Sequence, residues 1–219
     1  MRIQIAGIID QAEADSLVKA GVNDLGFPLG PGIRKLDLTE HAAMKIIDNL
    51  RPGVHGVLIT YLETADEIKA LGRKIGATKI QLHGEPTLAE IKRLREICPG
   101  IHLIKSLVIG DKTMAELEIQ VQTLAPHIEE FLTDTFDPHS GARGATGKVH
   151  DWRLSRKLVE ISPRPVILAG GLTAENVADA IRAVRPAAVD SHTGVEGVDG
   201  RKDIGKVLKF IQQSHAAFT

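Results

Sequence analysis

The chain is nearly without cysteine: Cys98, in REICPG, is the only one in 219 residues. One thiol cannot close an internal disulfide, and the sequence has no zinc-like Cys/His spacing. Neither a disulfide scaffold nor a metal site is expected. An excess of charge of one sign is also missing. The 27 Lys and Arg against 28 Asp and Glu leave a formal charge of −1, so there is no case for nucleic acid as a partner. An anion would have to be held by local groups. Long hydrophobic runs are absent as well. After Arg2 the apolar stretch is too short for a signal peptide or a membrane span, and it lacks a small-residue cleavage pattern. A cytoplasmic protein with no membrane attachment is expected. Nothing resembles a linker or a low-complexity segment, so the expectation is one domain over 1–219.

What the chain does have is alternation. Its 43% apolar and 25% charged residues are ordinary for a globular protein. Strand-length apolar runs take turns with amphipathic helical stretches. RIQIA (2–6) precedes a helix over about 10–20, and DLGFPL (24–29) precedes one over about 38–50. GVLITY (56–61) leads to TADEIKALGRKIG, where Ile68, Leu71 and Ile75 share a face. KIQLH (79–83) precedes a helix opening near Pro86, and IHLIKSL (101–107) precedes one near 113–125. EEFLTD (129–134) leads into the longest loop, 135–150. PVILAG (165–170) precedes a helix opening near Thr173, and AAVDSH (187–192) precedes a last helix over about 202–214. Eight such units of about 27 residues each fill the 219 residues. Strands alternating with helices imply parallel βαβ units, and eight of them imply an α/β fold closed into a (β/α)8 TIM barrel. An open, doubly wound sheet is the alternative.

In such a barrel the functional groups lie at the C-terminal ends of the strands and in the loops that follow. Ala6, Pro28, Thr60, His83, Lys105, Asp134, Gly170 and His192 satisfy that rule. His55, at a strand start, and Cys98, in a helix-to-strand turn, do not, and are read as structural. Two glycine-bearing turns follow the seventh and eighth strands, AGGLTAEN (169–176) and TGVEG (193–197). This pair of loops often binds phosphate, because glycine lets the backbone approach an anion and unpaired N–H groups at a helix start point at it. Gly170, Gly171, Thr193 and Gly194 are the candidates. A third loop, RGATGK (143–148), would bring Gly147 over them. Glycines also simply make turns, so the pairing of loops carries more weight than any one of them.

The segments IQLHGE (80–85), IKSLVI (104–109), LTDT (132–135), GATGKVHDW (144–152), LAGGLTAENV (168–177) and DSHTGVEGVDGRKD (190–203) together resemble one family, phosphoribosylanthranilate isomerase of tryptophan biosynthesis. The resemblance runs along almost the whole chain. It implies a (β/α)8 barrel, a small phosphorylated sugar as ligand and no cofactor, in a monomer or homodimer. The family reaction is an Amadori rearrangement of an N-linked aldose phosphate to a 1-amino-1-deoxyketose. An acid opens the furanose ring and a base removes the C2 proton, so both must reach one bound sugar.

The resemblance places the acid at Asp134, ending the sixth strand. It places the family's base, a cysteine ending the first strand, where this chain has Ala6. Arg34, in GPGIRKL, matches an arginine that holds the anthranilate carboxylate, although the residues around it differ. His83 and Lys105 are further candidates for substrate contact; Lys105 would bind an anion or pair with Asp134. His192 stands where the family has a small hydroxyl residue. The eighth strand neighbours the first in a closed barrel, so His192 is a candidate relocated base, with Asp10 as a second. Three readings stay open: an isomerase of this family with an altered base, a related sugar-phosphate isomerase with a relocated base, and a phosphosugar-binding barrel without turnover.

Overall fold

The strands are short runs of three to eight residues. The computed structural model describes residues 1–31, 38–137, 142–144 and 147–218. The strands are β1 (Arg2–Ala6), β2 (Asp24–Pro28), β3 (His55–Thr60), β4 (Lys79–Leu82), β5 (His102–Ile109), β6 (Glu130–Asp137), β7 (Val166–Leu168) and β8 (Ala188–Ser191). Each is parallel to the next, and β8 pairs with β1, which closes the ring. That closure rules out the open sheet.

Helices α1 (Gln11–Ala20), α2 (Glu40–Asp48), α3 (Ala65–Ile75), α4 (Leu88–Ile97), α5 (Met114–Leu124), α6 (Trp152–Ile161), α7 (Val177–Val184) and α8 (Ile204–Phe218) follow the strands in turn. Their starts obey capping chemistry. Asp10, Thr39, Thr87 and Thr113 each accept a backbone N–H of the first turn, and Thr113 with Glu116 completes a capping box. The apolar face predicted for α3 is the buried one: Ile68, Leu71 and Ile75 pack inward. No helix among the described residues is long and apolar enough to cross a membrane.

Two local expectations change. β6 runs on to Asp137 and pairs antiparallel with Ala142–Arg143, so the expected loop begins as a two-stranded ribbon. Near Thr173 the helix is delayed to Val177. The Thr173 hydroxyl accepts from the Glu175 N–H at 3.2 Å, and the Thr173 N–H donates to Asn176 Oδ1 at 2.8 Å. These bonds close a turn ahead of the helix.

The strands alternate strictly between two apolar environments. Ile3, Ile5, Leu25, Phe27, Leu58, Leu82, Leu103 and Phe131 face the helices. Ala6, Val57, Ile59, Ile104, Leu132, Ile167, Ala169 and Ala188 fill the barrel interior. Each fully buried Leu, Ile or Phe contributes about 1.5–3 kcal/mol.

The N-terminal end of the barrel is plugged by charge. Lys79 Nζ donates to Asp24 Oδ1 at 2.8 Å, and His55 Nδ1 lies 3.1 Å from the same oxygen. Arg2 Nε stands 3.2 Å from Asp24 Oδ2 as an ion pair too poorly aligned to be a hydrogen bond. Arg2 Nη2 donates to Glu130 Oε1 at 2.6 Å, and His102 Nε2 is 2.9 Å from Glu130 Oε2. Burial pushes the Glu130 carboxyl up, but the bonds from His102 and Arg2 outweigh it and hold it below its ordinary value.

Asp24→Ala strands Arg2 and Lys79 and is expected to cost about 3–5 kcal/mol, read as a lower urea midpoint. Because the Glu130 pKa is lowered on folding, its contribution is present above the unfolded carboxylate range and is lost as pH falls through the folded value. Glu130→Gln should therefore flatten the acid side of the stability–pH curve.

Candidate active site

Tilted strands set the inward side chains of odd and even strands at alternating heights. The registers place Gln81, Leu132, Gly26 and Asp190 in one layer. Ala6, Ile59, Ser106 and Ala169 form the layer above, and Pro28, His83, Asp134 and His192 lie at the C-terminal rim. Asp134 is partly exposed there. Its Oδ1 accepts from the Thr135 N–H at 2.7 Å. Burial raises its proton affinity, opposed by nearby His83 and by the Thr135 bond.

His83 is 5% exposed. Its Nδ1 is 3.0 Å from Ser106 Oγ, and its ring meets that of Tyr61 in an edge contact with the centroids 4.8 Å apart. Gly144 folds over both acid and imidazole. A Cβ there would collide with Asp134 Oδ2 and lie 2.7 Å from His83 Nε2, at a φ of +112° that suits only glycine.

The glycine turns converge beside this acid. Gly147 lies against the Thr193 hydroxyl, 3.5 Å from where its Cβ would be. Gly171 abuts the Lys148 carbonyl carbon and the Val149 nitrogen, leaving no room for a side chain. Gly170 faces Thr135 Oγ1 and His150 in the same way, and Gly194 faces the Leu172 carbonyl. Thr193 opens a 3-10 turn, Thr193–Val195, whose first N–H groups have no acceptor within the turn. His150 underpins the group: its Nδ1 is 2.8 Å from Thr135 Oγ1 and its Nε2 is 2.6 Å from Ser155 Oγ. Burial pushes its pKa down to about 4, so it is neutral here.

The family model for N-(5'-phosphoribosyl)anthranilate (PRA) isomerase matches residues 3–213. This chain belongs to the phosphoribosylanthranilate isomerase family. N-(5'-phosphoribosyl)anthranilate isomerase 2 of Methanosarcina mazei is 37% identical over all of this chain and 96% of that protein. The crystal structure of the Thermotoga maritima phosphoribosyl anthranilate isomerase superposes with a TM-score of 0.83 at 29% identity over 99% of both chains. A phosphoribosyl anthranilate isomerase in complex with reduced 1-(o-carboxyphenylamino)-1-deoxyribulose 5-phosphate gives 0.81 at 27% identity, also over 99% of both.

Against the family pattern, some expected residues gather at the rim and others do not. Ala6 ends β1 beside Gly26, so close that a Cβ on Gly26 would lie 3.2 Å from the Ala6 methyl. Lys105 is a correction. β5 runs on to Ile109, and Lys105 has the outward parity of Leu103 and Leu107. Its Nζ donates to the carbonyls of Gly84 (2.8 Å) and Ser106 (2.9 Å) and stands 3.6 Å from Glu85 Oε1. It pins the loop after β4 instead of facing the mouth or Asp134, and Thr60 shares the outward parity on β3. Arg34 lies outside the described residues.

His192 follows β8, and its Nε2 lies 3.5 Å from Glu196 Oε1. Asp10 caps α1 through the Glu13 N–H at 2.9 Å and pairs with Arg201. The Arg201 bond holds its carboxyl below the ordinary value, so it is a poorer base than a free aspartate.

The sequence reading missed an interior polar chain beneath the rim. Gln4 Nε2 donates to Gln81 Oε1 at 2.9 Å, and Gln81 Nε2 donates to Ser106 Oγ at 3.2 Å. Asp190 stands beside Gln4 in register on β8. The signal was available: Gln4, Gln81 and Asp190 share the inward parity of Ala6, His83 and His192 on their strands.

Gly144→Ala is expected to displace Asp134 and His83 and to lower kcat/KM by about 10²-fold without changing the circular-dichroism spectrum. Steady-state kinetics of the two chains check it.

Proposed function

We propose that the protein is an aldose–ketose isomerase of the phosphoribosylanthranilate type, serving tryptophan biosynthesis. The observation that carries the reading is the placement of Asp134, a partly exposed rim carboxyl of raised proton affinity, in the same mouth as the turns at Gly147, Gly170, Gly171, Thr193 and Gly194. The turns receive the phosphate through backbone N–H groups. Asp134 gives its proton to the furanose ring oxygen, the C1–O bond breaks, and C1 and nitrogen form an iminium. A carboxyl whose proton affinity burial raises suits that step. Loss of the C2 proton then gives the enamine that becomes the ketose. Arg34 is assigned to the anthranilate carboxylate and His83 to contact with the sugar near Asp134. Ala6 stands where the family base is expected and cannot accept a proton. That favours, as a second reading, a related sugar-phosphate isomerase with a relocated base, or a binding barrel without turnover.

Incubation with phosphoribosylanthranilate, followed by the loss of its fluorescence, tests the first reading. The chain is expected to convert it, and Asp134→Asn to lower kcat by about 10²–10⁴-fold. Binding of the substrate without conversion would leave the binding barrel. Failure to bind it would point to another phosphosugar.

A further inference from the structure

Resting on the isomerase reading, we propose that Asp190 is the base that removes the C2 proton. Asp190 is an inward residue of β8, 7% exposed, and its Oδ1 is buried with no hydrogen-bond partner among the described residues. A buried carboxylate oxygen without a donor is costly unless something uses it. The inward positions next nearer the mouth on the two strands flanking β8 are Ala6 on β1 and Ala169 on β7. Both end in a methyl group, so the side chains above the carboxyl on these two strands are small. With a larger residue at position 6 that approach would narrow. The short side chain of Ala6 is therefore the side on which a group one layer deeper lies nearest the rim.

The groups around Asp190 fit the role. Gln4 of β1 and Lys202, ahead of α8, favour its charged form; Asp134 of β6 and Asp24 of β2 oppose it. Burial is the largest effect in bringing the carboxyl up to about 7. Near neutral pH a large share is ionised, yet each ionised carboxylate is a stronger base than an ordinary aspartate. Asp10 is held elsewhere, by Arg201 and the α1 cap, and His192 lies one layer nearer the mouth, just past the end of the same strand and 3.5 Å from Glu196.

The protons balance. Asp134 gives one to the ring oxygen. Asp190 takes the C2 proton, the pair left behind forms the C1=C2 bond, and the C1=N π pair returns to nitrogen. On ketonisation Asp190 returns its proton to C1, and the C2 hydroxyl proton passes to Asp134. Both carboxyls regain their starting state, and no oxidant or reductant is needed.

The test compares the unaltered chain with Asp190→Asn, which is isosteric with the protonated acid, and Asp190→Ser, which is small enough to fit beneath the two alanines. Both are expected to lose about 10²–10⁴-fold in kcat while binding reduced 1-(o-carboxyphenylamino)-1-deoxyribulose 5-phosphate within about threefold of the unaltered chain. Adding Ala6→Cys to Asp190→Asn is expected to recover part of the turnover, because a thiolate then stands at the layer above. Turnover of either Asp190 variant within about threefold of the unaltered chain would overturn the proposal. So would parallel loss of analogue binding and turnover in both variants, which would make Asp190 structural. An unaltered chain that binds the analogue and converts no phosphoribosylanthranilate would instead overturn the isomerase reading itself.

Discussion

The period-two alternation of a strand, locked into a closed and tilted ring, is the constraint on which everything else in this molecule depends. Closure gives every strand residue one of two fates, toward the helices or toward the axis, with no edge at which to compromise. Tilt then sorts the axial residues by height. The same eight strands thus carry an ionic plug around Asp24 and Glu130 at one end, a waist in which Val57, Ile104, Leu132 and Ile167 stand beside Gln4, Gln81 and Asp190, and a polar rim around Asp134 and His83. One register pattern fixes all three, so a one-residue slip in any strand would exchange its axial set for its outer one.

The two ends show how the same chemistry yields different results. Asp24 and Glu130 are buried, but each meets cationic or imidazole partners at hydrogen-bonding or ion-pair distance. For Glu130 those partners win over desolvation. For Asp134 and Asp190 desolvation wins, and for Asp190 the like charge of Asp134 adds to it. Paired burial supports the fold; burial short of countercharge raises proton affinity and prepares a carboxyl for proton transfer. Conservation is not needed to tell these ends apart, because the partners do so.

The fold was legible because alternation of strand and helix is a long-range signal that eight units repeat. Ile68, Leu71 and Ile75 had to share a face in α3, and they do. Asp134 and the glycine turns stood out because they lie near the C-terminal ends of their strands or follow them directly. Lys105 was misread because a strand-end rule ignores parity, and β5 extends to Ile109, which placed the lysine among outward residues. Asp190 and Gln4 were missed for the complementary reason. Their parity is correct but they stand below the strand ends, and depth in a barrel comes from pairing register between strands, which no single segment encodes. The delayed start of α7 turned on whether a threonine would close a turn or cap a helix, a choice settled by Asn176.

Layering also changes what a missing side chain means. Ala6 lies against Gly26 and near Ile59, in a part of the barrel where several neighbours are small. A methyl group at one layer puts little between the layer beneath and the mouth, and inward residues on adjacent strands differ by a step in height. A proton acceptor can therefore move from the end of one strand to a deeper position on its neighbour without altering a turn, a helix or the phosphate loops. The barrel's frame is set by outward residues and the ionic plug, and the chemistry by a few inward ones near the mouth. Because the two sets do not overlap, the site can change its base while the fold keeps its registers.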